Sequence, residues 1–252
     1  IVSVVGTRNA TTHGKLLCDE LVKGLAEYGA LVVSGLAYGI DAAVHKACVK
    51  YELPTLGVLA HGLDRIYPNA HRKLAAEMLQ HGGLLTEFPS QTIPDRENFP
   101  KRNRIIAGLA DATIVVEANS KGGALITSDL ANSYDREVCA FPGRATDEYS
   151  RGCHDLIKTN RAHLITQAAD VASLLAWDIT SSCKKGLTQA NWLSRTPDEQ
   201  AVLSHLAECD GIAIDTLLLN TGFSQSKIAL LLLELQVAGI VQIVPGNRCI
   251  LL

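Results

Sequence analysis

A strand, turn and helix pattern that recurs along the first two-thirds of the chain constrains the fold more than any other feature. Strands that are apolar throughout and separated by helical segments indicate a parallel sheet covered on both faces. Right-handed crossovers make this an open, doubly wound α/β sheet. The strand-like runs are Ile1 to Val5, Leu31 to Ser34, Thr55 to Ala60, Leu84 to Phe88, Thr113 to Glu117, Val138 to Phe141 and His163 to Thr166, and the segments with helical periodicity include Gly14 to Tyr28, Ile40 to Tyr51, Ala70 to His81 and Ala124 to Tyr134.

Small residues occupy the turns that follow four of these strands. In the stretch from Val32 to Asp41, the strand runs into Ser34-Gly35 and then into a helix start. The first amides of a helix lack internal partners and carry the positive end of the helix dipole, so such a turn can receive an anion. We expect the Ser34 hydroxyl and the turn amides to face an open crevice. Because ligands of these sheets bind beyond the carboxyl ends of the strands, the four turns are predicted to line one edge and bind a run of phosphates. The other three are Gly6-Thr7-Arg8, Lys121-Gly122-Gly123 and Pro142-Gly143.

The composition changes near residue 180 and predicts a second domain. We expect a sheet domain over 1–178, a linker over 179–196 and a winged-helix-like domain over 197–252, in which three short helices precede a terminal hairpin. Thr196 and Pro197 are typical of a helix cap and first turn. Residues 196–252 carry two basic and six acidic side chains, a sum of −4. This charge favours a protein contact or packing over insertion into a duplex groove.

A second informative run extends from Arg96 to Arg104. Cations flank the aromatic Phe99 just before a helix, which suits a single nucleic-acid strand because the charges meet phosphates and a base stacks on the ring. The alternative is a solvated helix entrance in which an arginine pairs with Asp95 or Glu97 and Phe99 packs in the core. The cations are Arg96, Lys101, Arg102 and Arg104, and Asn103 lies among them.

Other chemistries lack their sequence patterns. The chain has no G-x-G-x-x-G or Walker loop, no G-x-S-x-G elbow, no H-E-x-x-H spacing and no paired cysteines, so we expect no cofactor and no metal. Its seven single cysteines fit small core residues in a reducing cytoplasm. Asp41 is either a catalytic acid or a structural carboxylate that accepts from turn amides, and the second is favoured. No run approaches the roughly 18 apolar residues of a membrane span, and because the chain opens inside a strand, a native N-terminal segment is expected to be missing.

Several motifs, in order, resemble the DNA-processing protein A family (DprA, also called Smf). The resemblance covers about Ile1 to Thr166, and the acidic C-terminal module also resembles the winged-helix domain of many members. The motifs are Ser34-Gly35-Leu36-Ala37-Tyr38-Gly39-Ile40-Asp41, Phe99-Pro100-Lys101-Arg102-Asn103-Arg104-Ile105-Ile106-Ala107-Gly108-Leu109, Gly122-Gly123-Ala124-Leu125-Ile126-Thr127 and Pro142-Gly143.

The resemblance implies an extended Rossmann-like fold and a cytoplasmic homodimer that binds and protects incoming single-stranded DNA in natural transformation. It further implies loading of the RecA recombinase, without catalytic activity. DNA-contacting positions carry over to Arg8, to Ser34 and Gly35, and to Phe99 with its surrounding cations. Where some members have a lysine, this chain has Arg96, which contacts phosphate as a planar fork. The DNA-binding residues predicted from the turns and the resemblance together are Gly6, Thr7, Arg8, Ser34, Gly35, Arg96, Phe99, Lys101, Arg102, Asn103, Lys121, Gly122 and Gly123.

Two functions from other classes remain alternatives. Phosphoribohydrolase-like nucleotide-processing enzymes of related fold resemble the Gly122 to Leu125 segment, but they carry a P-G-G-x-G-T-x-x-E run whose glutamate is missing here. A winged-helix transcription regulator with an effector-binding sheet requires duplex affinity, which the −4 charge disfavours.

Overall fold

The computed structural model describes residues 1–177, 196–207, 212–238, 240–244 and 248–251. The chain divides into two compact units, residues 1–183 and 184–252. The predicted linker, residues 179–196, lies outside the described residues except for Thr196. Among the helices in the described ranges, none combines the length and the apolar character that a bilayer-crossing segment needs.

The first unit is built on a seven-stranded sheet in which every neighbouring pair is parallel. The strands are β1 (Val2–Val5), β2 (Val32–Ser34), β3 (Thr55–Val58), β4 (Gly83–Leu85), β5 (Ala112–Val115), β6 (Glu137–Ala140) and β7 (His163–Leu164). Their order is β4-β3-β2-β1-β5-β6-β7. The chain winds outward from β1 in one direction and from β5 in the other, so the topological switch point, where open α/β sheets form their ligand crevice, lies between β1 and β5. The predicted doubly wound sheet is confirmed.

Seven α-helices of the described residues cover both faces of this sheet. They are α1 (Thr12–Ala26), α2 (Ile40–Lys50), α3 (Arg72–Met78), α4 (Asn98–Leu109), α5 (Gly123–Ser133), α6 (Arg151–Lys158) and α7 (Ala168–Leu174). One core cluster joins apolar residues of α1, α2 and α7 to the sheet. A second joins residues of α4, α5 and α6 to the opposite face. The sequence patterns did not predict α6 and α7, which have only 8 and 7 residues.

The cysteines of the described residues are free and buried, as predicted for core positions. They are Cys18, Cys48, Cys139, Cys153 and Cys249. Burial is the first cause of a raised thiol pKa at each of them, which keeps the unreactive thiol form at neutral pH.

The second unit has the helices and strands of a winged-helix domain. They are α8 (Pro197–Ala207), β8 (Ile212–Ala213), α9 (Ile214–Thr221), α10 (Gln225–Val237), β9 (Val241–Val244) and β10 (Arg248–Leu251). The Thr196 cap is confirmed, because the Glu199 amide donates to Thr196 Oγ1 at 3.3 Å and the Thr196 amide donates to Glu199 Oε2 at 2.9 Å. The predicted terminal hairpin is the β9–β10 pair. It belongs to a three-stranded sheet, since the unpredicted β8 pairs with β10.

A buried histidine makes the stability of the first unit depend on pH. His45 on α2 is fully buried, with Nδ1 2.7 Å from Thr55 Oγ1 and with no partner for Nε2 among the described residues. Burial, reinforced by the nearby Arg102 charge, lowers the His45 pKa to about 3. Because this folded-state pKa lies below the unfolded value, the neutral ring's contribution to stability is present above about pH 6.5 and is lost as the pH falls.

We predict that lowering the pH from 7.5 to 5 reduces the free energy of unfolding of the wild-type protein by about 2 kcal/mol through His45. One pKa unit corresponds to about 1.36 kcal/mol. His45→Gln should lose less stability over this interval, because Gln does not titrate. Urea unfolding of both proteins at the two pH values measures the difference. Equal pH dependence in both proteins would contradict this assignment.

Candidate nucleic-acid interface

The carboxyl edge of the sheet opens into a wide groove at the switch point between β1 and β5. The groove has a volume of about 1100 Å³. Most of its lining comes from the loop after β1, the start of α4 and the loop after β5, and further residues come from the segments after β2 and β3 and from α6 and the loop that follows it. The sequence-predicted site residues that line it are Gly6, Thr7, Arg8, Arg96, Phe99, Arg102, Asn103, Lys121, Gly122 and Gly123.

The loop that carries Arg8 is held by backbone contacts on both sides. The Thr7 amide donates to the Glu117 carbonyl oxygen at 2.8 Å, and the Ile40 amide donates to the Thr7 carbonyl oxygen at 3.1 Å. Gly39 has a φ of +83°, and a Cβ at this position would overlap the Thr7 carbonyl. This pinned loop presents the exposed Arg8 side chain, whose guanidinium carbon lies 5.2 Å from the centre of the Phe99 ring.

Arg102 is a buried residue that ties the strand ends together. It is 4% exposed, and its Nη1 donates to the Gly35 carbonyl oxygen at 2.7 Å and to the Val58 carbonyl oxygen. Its Nε donates to Asn103 Oδ1 at 3.1 Å. Burial lowers the Arg102 pKa, and the charge of nearby Asp41 opposes this change. Arg102 therefore acts as a structural cation at the base of the groove.

The Ser34-Gly35 turn differs from its prediction. Ser34 is fully buried and its hydroxyl donates to the Val4 carbonyl oxygen at 2.6 Å, so it does not face the crevice. The buried Asp41 carboxylate accepts from the amides of Ala37 and Gly35. An internal carboxylate thus takes the position that we expected a phosphate to take, and the structural interpretation of Asp41 is confirmed. Burial raises the pKa of Asp41, and Arg102 and the turn hydrogen bonds act against this increase.

The cations around Phe99 have different surroundings. Phe99 is half-buried and faces the groove, as does the exposed Arg96. Lys101 is exposed but does not line the groove, and Arg104 forms an ion pair with Glu87. The sequence suggested that an arginine pairs with Asp95 or Glu97. Among the ion pairs of the described residues there is no such pair, and Arg104 pairs with Glu87 instead.

The Gly122-Gly123 turn is open to solvent. Helix α5 begins at Gly123, and Gly122 precedes it without a side-chain cap. Both glycines and Lys121 are exposed, while Asn103 Nδ2 donates to the Gly123 carbonyl oxygen at 3.4 Å. The first residues of α5 line the groove, so their amides are available there as donors for an anion. The fourth predicted turn, Pro142-Gly143, is not part of the groove lining.

Two tyrosines near Phe99 were not among the site residues predicted from the sequence. The Tyr67 ring centre lies 6.1 Å from that of Phe99, and Tyr67 lines the groove. Tyr38 packs edge-on against His71 at 5.0 Å and lines a smaller pocket that also contacts Phe99. Tyr67 belongs to the segment after β3, whose carboxyl end lies on the same edge of the sheet. Applying the strand-end argument to β3 would have found it.

The groove is positive although the chain has a formal net charge of −3. Its lining includes five cations and two carboxylates, a formal charge of +3. One of these carboxylates, Asp129, is paired with Arg161 at 2.9 Å, and the other, Asp41, is held by the turn. Arg8, Arg96 and Lys121 have no carboxylate partner within 4.0 Å among the described residues. A positive concave surface of this kind attracts a polyanion.

A family model described as DNA recombination-mediator protein A matches residues 1–176. The chain belongs to this family. A second model, the DprA winged helix domain, matches residues 189–247. Smf of Synechocystis is 33% identical over 98% of this chain and 69% of its own length. DprA of Bacillus subtilis is 43% identical over 68% of this chain and 57% of its own length. This chain thus spans 57 to 69% of the length of these two relatives.

Solved structures of DprA proteins share the fold of the first unit. The structure from Streptococcus pneumoniae has a TM-score of 0.64 and 38% identity, over 70% of this chain and 61% of that one. The structure from Helicobacter pylori has a TM-score of 0.64 and 28% identity, over 69% of this chain and 79% of that one. The latter is described as giving insights into the single-stranded DNA binding mode of that protein.

We predict that the two arginines beside Phe99 differ sharply in their effect on stability. Arg102→Ala should lower the free energy of unfolding by about 3 to 5 kcal/mol, because it leaves buried Asp41 and two carbonyls without their cation. Arg8→Ala should change it by less than about 0.5 kcal/mol, because Arg8 is exposed. Chemical unfolding of both variants measures the contrast. Similar losses in the two variants would contradict these roles.

Proposed function

We propose that this chain binds single-stranded DNA in the groove at the carboxyl edge of its sheet. The observation that carries the proposal is the grouping of unpaired cations around an accessible aromatic ring, with Arg8 at 5.2 Å from the Phe99 ring centre and Arg96 and Lys121 along the same groove. Charged grooves with aromatic platforms suit single strands, because their bases are free to stack. Membership in the family and the described activity of the H. pylori protein support the proposal.

The groove residues divide into phosphate ligands and stacking surfaces. Arg8, Arg96 and Lys121 neutralise phosphates, and the open amides of Gly122-Gly123 donate to one of them. A base stacks on Phe99, which contributes about 1 to 3 kcal/mol, and Tyr67 offers a second ring. The remaining predicted positions act indirectly, since Gly6 and Thr7 present Arg8, Asn103 orients the start of α5, and Ser34, Gly35 and Arg102 shape the base of the groove. Lys101 adds to the local potential from outside it.

We infer that the bound strand is held and not chemically altered. Asp41 in the groove accepts from its own turn amides and Asp129 is paired with Arg161. Neither carboxylate is left to activate a water, and the loop after β5 lacks the glutamate of nucleotide-processing enzymes. Release of a free base from a nucleoside monophosphate would overturn this inference.

We also propose that the bound strand is protected and delivered to RecA in natural transformation, by a cytoplasmic homodimer. The description of the family as a recombination mediator supports this role. A dimer doubles the footprint, and binding at its second groove gains from effective concentration. The protein should shorten the lag before RecA assembles on single strands. An unchanged lag would contradict the loading role, and a monomer at all concentrations in sedimentation would contradict the dimer.

We predict that the double variant Arg8→Ala and Arg96→Ala binds single strands of all sequences less tightly. Losing two phosphate contacts should weaken binding roughly 25-fold at 0.1 M salt and reduce the salt slope by about 1.4, at about 0.7 per contact. Titrations of labelled oligonucleotides of different sequence, across a range of salt concentrations, measure both quantities.

Arg104→Ala with Arg136→Ala is the matched control. These exposed arginines form ion pairs with Glu87 and Asp111 and do not line the groove. The control removes the same number of positive charges but leaves the groove lining unchanged, so its affinity should stay close to that of the wild type. Equal weakening by both double variants would show that net charge, and not the groove, determines affinity.

A further inference from the structure

A second groove lies between α1 and α2, beside the one already described. It has a volume of about 490 Å³. Small residues form its floor, and lysines from both helices border it. The floor consists of Ala10, Gly39, Ala42, Ala43 and Ala47, and the lysines are Lys15, Lys46 and Lys50. We call this the α1/α2 groove.

The α1/α2 groove is positive, and two of its lysines are free. Arg8 and the three lysines against one carboxylate, Asp19, give the lining a formal charge of +3 with His71 neutral. Lys50 is paired with Asp19 at 2.9 Å. Lys15 and Lys46 are exposed, and within the described ranges neither has a carboxylate within 4.0 Å. Such charges on a chain whose net charge is −3 are available to a phosphate ligand.

The two grooves meet at Arg8. This residue lines both of them. Tyr38, which is 49% exposed, lines the α1/α2 groove and also the small pocket that contains Phe99. A flexible polyanion bound against Phe99 therefore meets a further set of cations at one end of its site.

We propose that the α1/α2 groove binds the continuation of the same DNA strand, through its sugar-phosphate backbone, where it leaves the central groove. The inference rests on the proposed function. The alanine and glycine floor offers no side-chain hydrogen bonds to base edges, so the floor and its bordering lysines favour contacts to phosphates. Lys46 and Lys50 lie one helical turn apart, about 6 Å along α2. They form a row of positive charges along the proposed path of the strand. The strand thus follows Lys121, Phe99 and Arg8 to Lys15 and Lys46.

Oligonucleotide length separates the two grooves experimentally. The double variant Lys15→Ala and Lys46→Ala should bind a strand of about twenty nucleotides roughly 25-fold less tightly at 0.1 M salt, at about fivefold per lost phosphate contact. A strand of about six nucleotides, which fills the central groove alone, should lose much less affinity. Lys23→Ala with Lys158→Ala removes two exposed lysines that lie outside both grooves and is the matched control.

A variant with increased affinity excludes misfolding as an explanation. Asp19→Asn removes the carboxylate of the described α1/α2 lining and frees Lys50, so it should tighten binding of the longer strand about fivefold and of the shorter one much less. Equal effects of the lysine variant and its control, or equal losses for both lengths, would overturn the inference while leaving the proposed function standing. If the wild-type protein binds neither strand, the proposed function and this inference both fail.

Discussion

The buried Arg102 guanidinium is the interaction on which the rest of the site depends. It joins the carbonyl oxygen of Gly35, just after β2, to that of Val58 at the end of β3, and it compensates the buried charge of Asp41 at the start of α2. A buried charge without partners costs several kcal/mol. The loops around Arg102 are therefore held in the arrangement that keeps its hydrogen bonds to the carbonyl oxygens of Gly35 and Val58. That arrangement forms the base of the groove.

These internal contacts separate structural charge from binding charge. Asp41 accepts from the turn amides and Arg102 donates to the carbonyl oxygens of Gly35 and Val58, so protein groups already occupy their hydrogen-bonding positions. Arg8, carried by a loop that the Thr7 backbone pins at both sides, is left exposed above Phe99. Groups held in position before binding lose little conformational entropy when a ligand arrives. The proposed strand thus meets a groove that is already formed, with its cations and aromatic ring in place.

The sheet could be predicted from the sequence because its strands are apolar throughout, and the position of the groove followed from the parallel strand ends. The orientation of Ser34 could not be predicted. Its hydroxyl donates to the carbonyl oxygen of Val4, which is 30 residues away, and the alignment of the two residues depends on the pairing of β1 with β2. The two short helices α6 and α7 were not predicted from the sequence. Burial of Arg102 did have a sequence signal: it lies one helical turn before Ile106, which is buried on the apolar face of α4.

The central claim is that a positive trough at one edge of the sheet selects a flexible single strand. The most direct test is a set of binding titrations at one salt concentration, with single-stranded oligonucleotides of increasing length beside duplexes of equal length and free mononucleotides. The account predicts that affinity rises with length for single strands and exceeds that for the matching duplex and for mononucleotides by at least about tenfold, because only a free strand brings both stacked bases and several phosphates. Equal affinity for duplex, or mononucleotide binding as tight as that of the longest strand, would contradict it.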